Sequence, residues 1–278
     1  MLPNNPLTQY FRQPAIYIKL PSQGKFYPPG TLNMPPNGEL PVLPMTSNDE
    51  ITYRTPDALF NGTATVNVIR SCVPSIRDPW IMPAVDIDAV LVGIRIASYG
   101  HGMDLTTTCP ACKTEDDLTV DLRIVNDTMK IGNYDQHLVI GDLEFWFQPI
   151  PYKTVNQNNQ VQIQQQQAMR VVDGDADEQV KMTQITNSMT VINETTTNTV
   201  AQSIAAIKTP AAMVTETEFI VDYLRNCDSK IFNQLKNHIV DLKKNSEVQP
   251  LELTCKECNH QYQQPFTLDL SSFFDNAS

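Results

Sequence analysis

Two short stretches of this chain repeat each other across a long gap. Residues 105–122 read LTTTCPACKTEDDLTVDL, and residues 253–270 read LTCKECNHQYQQPFTLDL. Each copy has a Leu-Thr start, a Cys-x-x-Cys pair, a polar loop and an Asp-Leu end. Segments of strand character flank both pairs, so each copy is predicted to form a β-hairpin with two cysteines at its tip.

The four cysteines of the repeat, Cys109, Cys112, Cys255 and Cys258, have the spacing of a structural zinc site. A tetrahedral zinc takes four thiolates at about 2.3 Å, and each Cys-x-x-Cys turn can supply two of them. Zinc-ribbon pairs usually lie about 15–20 residues apart, so the residues between the two copies are interpreted as an insertion. Such an insertion is tolerable because the entropy of loop closure grows only logarithmically with length.

Other interpretations of these cysteines stay open at this point. They could be reduced structural thiols or a redox pair, and His260 could compete as a ligand. A redox pair favours the start of a helix, whereas both pairs here are predicted to lie between strands. A catalytic zinc would keep one position for water, and four cysteines would close that position.

Charge and hydropathy exclude several classes of partner. The formal charge of −11 argues against nucleic acid and anionic membranes, since binding to either requires a surplus of Lys and Arg. No apolar run is long enough for a transmembrane helix. The first residues, MLPNNPLTQYF, lack the features of a signal peptide, so we expect a protein made in a reducing cytoplasm.

The chain is predicted to be an α+β protein of three parts. Residues 1–45 contain ten of the 20 prolines and are expected to form an extended arm. That arm could follow the surface of its own chain or lie across a neighbouring subunit. Residues 46–150 plus 246–278 would form a zinc-ribbon-like α+β body with a helical segment, and residues 151–245 an inserted helical unit.

The inserted unit is expected to contain one long helix over residues 175–208. Its apolar residues recur at spacings of three and four, which predicts a narrow stripe on one face. They include Ile185, Met189, Ile192, Val200, Ile204 and Ile207. The stripe could pack on the two helices that follow, or it could bind a partner. Before the insertion, residues 138–150 are predicted to form a hairpin that turns at Gly141.

No catalytic constellation is evident in the sequence. The four histidines are dispersed, no Ser or Cys stands in a nucleophile elbow, and the glycine-rich phosphate-binding motifs are missing. The sequence therefore favours a role that is not enzymatic.

Residues 20–103 carry four unusual strings in order: LPSQGKFYPPG, LPVLPMTSNDEI, TPDALFNGTATVNVIRSCV and DIDAVLVGIRIASYG. With them the chain resembles the T4-type bacteriophage baseplate hub protein family, most clearly over residues 20–125. This resemblance implies a virion tail component, or a hub assembly factor, made in the host cytoplasm. Its partners would be other baseplate and tail proteins, with possible oligomerisation in the baseplate and no nucleic acid or membrane partner.

Three other functions are weighed beside the structural one. The first is a transient hub assembly chaperone that is absent from the mature virion. The second is a zinc-ribbon adaptor of transcription or host takeover, although its loops KTEDD and NHQYQQ are not basic. The third is a peptidoglycan hydrolase, which would need a catalytic carboxylate that does not stand out.

Overall fold

The structure, a computed structural model, describes residues 5–55, 60–172 and 178–265. It combines helices with small antiparallel sheets, so the predicted α+β class is confirmed. The α-helices in these ranges include α1 (Ser47–Tyr53), α2 (Thr63–Cys72), α3 (Ile87–Tyr99), α4 (Leu122–Thr128), α5 (Tyr152–Val172), α6 (Glu178–Gln202), α7 (Thr217–Asn226) and α8 (Ser229–Lys244). The strands there include β1 (Ile16–Ile18), β2 (Leu40–Val42), β3 (Gly102–Thr108), β4 (Glu115–Asp121), β5 (Leu138–Ile140), β6 (Leu143–Phe147), β7 (Ile204–Lys208), β8 (Met213–Val214), β9 (Leu251–Thr254) and β10 (Gln261–Gln264).

The chain divides into two compact units. Unit 1 comprises residues 1–79, 86–130 and 247–278, and unit 2 comprises residues 80–85 and 131–246. The sequence-based expectation began the insertion at residue 151. Residues 131–150 lie in unit 2, where β6 pairs with β7 and the hairpin β5–β6 therefore shares a sheet with strands that follow the long helices.

The proline-rich N-terminal segment contributes strands to unit 1. β1 pairs antiparallel with β2, and Ile16 lies opposite Val42. Both strands contact α3, and Ile18, Leu20 and Leu40 are buried together with Val42. Each strand has three residues, and Pro41 in the middle of β2 has no N–H to donate to the ladder.

Arg12 connects the start of the chain to α1 and α2. Its guanidinium donates to the carbonyl oxygen of Pro44 at 2.5 Å and to the carbonyl and hydroxyl oxygens of Ser71 at 2.8 and 2.6 Å. It also pairs with Asp49 at 3.2 Å. The Asp49 carboxylate accepts the backbone N–H of Thr46 as well, which completes the capping box at the N-terminus of α1.

A second polar cluster lies inside unit 1 just before α3. The carboxylate of Asp86 is fully buried and accepts the backbone N–H of Ser22 at 2.8 Å and its hydroxyl at 2.5 Å. Burial raises the pKa of Asp86 to about 6, although the two bonds from Ser22 oppose that rise.

Unit 2 is built on the antiparallel sheet β5-β6-β7-β8. The predicted hairpin is present, with Gly141 in its turn at φ 61°, and Phe145 and Phe147 point into the core. The buried apolar residues of α7 and α8 pack against this sheet in one cluster. Its members include Val200, Ile204, Ile207, Ile220, Leu224, Leu235, Ile239 and Leu242.

The predicted helix over residues 175–208 is too long at its C-terminal end, and residues 175–177 lie outside the described ranges. Helix α6 ends at Gln202, and Ile204 and Ile207 belong to strand β7. A short apolar run fits either period, and pairing with β6 decides for the strand because it buries both isoleucines.

The apolar stripe of α6 is buried only near its end. Val200 is 4% exposed and packs in the core of unit 2, whereas Met189 is 59% and Ile192 48% exposed. The helix contacts α7 and α8, as one of the two interpretations predicted, and it also contacts α5. In the part of the chain that the structure describes, no helix is both long enough and apolar enough to span a bilayer.

Candidate metal centre

The two Cys-x-x-Cys pairs lie at the tips of two antiparallel hairpins of unit 1. β3 pairs with β4 from Gly102 opposite Asp121 to Thr108 opposite Glu115, and Cys109 follows directly. β9 pairs with β10, with Thr254 opposite Gln261, and Cys255 follows directly. The predicted hairpin doublet is therefore present in the described residues; the end of the second copy, residues 266–270, lies outside them.

The first tip is a tight turn closed by two backbone hydrogen bonds. The N–H of Cys109 donates to the carbonyl of Thr114 at 2.9 Å, and the N–H of Lys113 donates to the carbonyl of Cys109 at 3.0 Å. Lys113 has a φ of 63°, in the left-handed region. This conformation turns the chain back, so Cys112 faces the same side as Cys109.

The second tip repeats this backbone position by position. The N–H of Cys255 donates to the carbonyl of His260 at 2.9 Å, and the N–H of Asn259 donates to the carbonyl of Cys255 at 3.0 Å. Asn259 has a φ of 56° and corresponds to Lys113 of the first tip. The sequence repeat is therefore also a repeat of conformation.

The two tips bring the four predicted ligands together. The Sγ atoms of all four cysteines lie within 4.8 Å of one another. Across the tips, the Sγ atoms of Cys109 and Cys258 are 3.7 Å apart, and those of Cys112 and Cys255 are 3.6 Å apart. Each close pair joins one cysteine from each hairpin, so both hairpins contribute equally to the cluster.

These separations fit a tetrahedral metal and not a disulfide. Four sulfurs at about 2.3 Å from a central zinc are about 3.8 Å apart along each edge of the tetrahedron, close to both cross-tip distances. A disulfide needs an S–S distance of about 2.05 Å, and all four thiols are free. A search of the described residues for clustered His, Cys, Asp and Glu side chains finds these four cysteines, whose ligand atoms lie close enough together to bind one ion.

The first cysteine of each pair is buried and the second is exposed. Cys109 is 1% and Cys255 5% exposed, whereas Cys112 and Cys258 face solvent. The hydroxyl and the backbone N–H of Thr114 lower the pKa of the Cys112 thiol to about 6. The backbone N–H of His260 also lowers the pKa of the Cys258 thiol, but hydrogen bonding with the other three thiols and desolvation outweigh it and raise that pKa to about 12. N–H groups aimed at sulfur favour the thiolate, which is the form that binds metal.

Side chains near the tips also connect the two hairpins. The ammonium of Lys256 lies 2.7 Å from the carboxylate of Asp116, and the hydroxyls of Thr107 and Tyr262 are 3.1 Å apart. The sequence did not single out these four residues. Lys256 lies within the second Cys-x-x-Cys pair, but the partner of a side chain across hairpins depends on packing that no local pattern encodes.

The remaining sulfur and imidazole groups lie apart from the cluster. The ring of His260 stacks on that of Tyr262 at 6.4 Å between centroids, so His260 is not among the grouped ligands. Cys72 is buried, and burial raises its pKa to about 12. Cys227 is partly buried and packs against the core of unit 2. The four sulfurs of the cluster would therefore hold a metal without a histidine.

The comparisons with known proteins identify a family. No curated protein and no solved structure matches the chain. A family model described as T4 bacteriophage base plate protein matches residues 18–275, which include both hairpins, all of unit 2 and most of unit 1. The match covers most of the chain, and this protein is therefore a member of the T4 bacteriophage base plate protein family.

Proposed function

We propose that this protein is a structural or assembly component of the hub of a contractile-tailed phage baseplate and acts by contact with other tail proteins. The family match over residues 18–275 carries the proposal. The hub is favoured over other parts of the baseplate because the strings in residues 20–103 resemble the hub family. Its location would be the tail of the virion, after assembly in the host cytoplasm.

The proposal includes a structural zinc bound by Cys109, Cys112, Cys255 and Cys258. The S···S distances of 3.6 and 3.7 Å support it, as does the matching backbone of the two tips. Four thiolates leave no position for a reacting water, so the ion would stabilise the fold and not perform chemistry. This role agrees with a non-enzymatic function.

The zinc would join two distant stretches of chain. The first hairpin precedes residues 131–246 of unit 2 in the sequence, and the second hairpin follows them. Both hairpins belong to unit 1, so a shared ion would fix the stretch that leads into unit 2 to the stretch that returns from it. The inserted unit could then present docking surfaces without separating the two hairpins.

Metal analysis tests the zinc. Purified chain should contain one zinc per molecule by elemental analysis, and Cys112→Ser or Cys255→Ser should remove it and lower the melting temperature. Cys227→Ser is the matched control because Cys227 lies outside the cluster, and it should keep the zinc. Cobalt substitution should give the absorption of a tetrahedral thiolate site. A zinc-free protein that melts like the zinc-bound one would refute a structural zinc.

The protein composition of virions and of hub intermediates tests the assembly role. Mass spectrometry of purified virions and of hub intermediates should find the chain in both if it is a permanent part. Its presence in intermediates alone would favour the second candidate, a transient assembly chaperone. Its presence in neither would refute the proposal. An adaptor of transcription would instead copurify with RNA polymerase.

A further inference from the structure

A groove in unit 2 runs between three helices. It has a volume of about 690 Å³ and is lined by one face each of α5, α6 and α8. Helix α6 contacts both of the other helices and forms the floor, while α5 and α8 form the walls. The floor residues run from Ile192 to Ser203, which at 1.5 Å per residue is about three turns of helix. The groove therefore has the length of a short helix.

The floor of the groove presents mainly apolar surface to an occupant and few free hydrogen-bond donors. The hydroxyls of Thr196, Thr199 and Ser203 donate to carbonyls four residues earlier in the chain, at 2.7–2.9 Å. A hydroxyl that donates to its own helix has no proton left for a ligand and can only accept, as Thr199 accepts from Asn158 at 2.8 Å. Ile192 and Val200 add apolar surface to the same floor. An occupant with apolar side chains fits such a floor.

The two walls differ in charge. The α5 wall presents amides, including Gln162, Gln165 and Gln166, beside Val161. The α8 wall presents Ile239 and Val240 together with Lys236 and Lys243, the charged residues that line the groove. In a chain with a net charge of −11, a groove whose charged lining is positive selects for carboxylates.

We propose that this groove binds an amphipathic helix of a partner tail protein. The apolar side of that helix would lie on α6, and its carboxylates would face Lys236 and Lys243. Helices commonly bind grooves in this way through residues spaced three and four apart. The exposed face of α6 in a second copy fits less well, whereas Phe219 of α7 lies among Glu216, Glu218 and Asp222, so a second copy is an outcome that the test must separate. The exposed apolar residues Val180, Met182 and Met189 of α6 are flanked mainly by amides and hydroxyls. The inference rests on the proposed role in tail assembly and names the chemistry of one partner.

Site-specific photo-crosslinking in infected cells tests the proposal. The probe is p-benzoylphenylalanine in the full chain, placed at Val240 in the groove. The control position is Val180, which is similarly exposed, at 59% against 57%, but does not line the groove. The Val240 probe should crosslink one tail protein, at a segment with helical apolar spacing and acidic residues on one flank. The Val180 probe should not reach that segment.

Charge reversal supplies the second measurement. Lys236→Glu with Lys243→Glu should lower the yield of the Val240 crosslink roughly tenfold, because like charges would face each other. Lys236→Arg with Lys243→Arg should preserve it. A crosslink to a second copy, to a segment without acidic residues, or no crosslink from chain that is present in tails would overturn the groove proposal alone. Absence of the chain from tails and from their intermediates would instead refute the proposed function.

Discussion

The guanidinium of Arg12 lies 3.2 Å from the carboxylate of Asp49, which ties the first described residues of the chain to helix α1. The same guanidinium reaches the carbonyl oxygens of Pro44 and Ser71. One side chain therefore connects the N-terminal segment with the end of the β1–β2 region and with α2.

Replacement of Arg12 by alanine should destabilise unit 1. The acceptors at Pro44, Asp49 and Ser71 would lose a shared donor, and such a loss costs about 1–3 kcal/mol in the free energy of unfolding. Arg12→Lys should recover only part of it, since an ammonium lacks the planar fork of donors. Urea denaturation measures the effect.

The control for that experiment is Lys19→Ala. Lys19 pairs with Glu39 at 3.6 Å, and its side chain is 76% exposed, so the loss should be small. Equal losses in the Arg12 and Lys19 variants would contradict the assigned role of Arg12.

The link between the two hairpins should depend on sulfur more than on charge. Lys256→Ala removes the contact with Asp116, but the Lys256 side chain is 69% exposed and its ion pair is screened by water. We expect its melting curve to overlay that of the wild type. Cys255→Ser should instead lower the melting temperature, and added chelator should not lower it further. A Lys256 variant as unstable as the Cys255 variant would argue against the metal as the main link.

Asp86 should make native stability fall as pH rises. Burial raises its pKa to about 6, against about 3.9 in an unfolded chain. The native state therefore holds the proton to a higher pH than the unfolded state. Its contribution is most favourable below about pH 4 and declines until about pH 6, by on the order of 3 kcal/mol.

The variant Asp86→Asn isolates this contribution because asparagine does not ionise. The difference in free energy of unfolding between variant and wild type should shift in favour of the variant between about pH 4 and pH 7. Other groups titrate in both proteins and cancel in the difference. Parallel stability curves for the two proteins would disprove a native-state proton on Asp86.

Gly132→Ala should destabilise unit 2 because the added methyl group would overlap with the backbone of α8. A Cβ at Gly132 would collide with the backbone carbonyl of Leu242 in α8, and backbone cannot move aside as a flexible side chain can. We expect a loss of about 1–3 kcal/mol, typical of overpacked sites. The comparison is Gly141→Ala in the β5–β6 turn, where a Cβ meets nothing within 4 Å and only a φ of 61° opposes it. Urea denaturation should rank Gly132→Ala as the more damaging change, and the reverse order would count against the overlap.

The hairpins and the cysteine cluster could be predicted because their signal is local and appears twice. A Cys-x-x-Cys pair between strand-forming residues specifies its own turn, and the second copy provides the partner. The turn at Gly141 followed from the same kind of short pattern.

Features that depend on contacts between residues far apart in the sequence could not be predicted. The run from Ile204 to Ile207 has apolar spacing that suits a continued helix, and only pairing with β6 makes it a strand. The same pairing places residues 131–150 in unit 2, together with residues 80–85. The groove beside α6 requires three helices in place, and no local pattern marks the lysines of α8 as part of its lining.

The separation of the two cysteine pairs in the sequence also affects when the cluster can form during synthesis. Cys112 and Cys255 are 143 positions apart, and a ribosome adding about 5–20 residues per second separates their synthesis by about 7–30 s. During that interval the first hairpin supplies two of the four sulfurs of the cluster, while the residues of unit 2 emerge and can fold. At the proposed zinc site, the full set of four ligands would therefore form late in synthesis, and a nascent chain stalled before residue 255 would hold only Cys109 and Cys112.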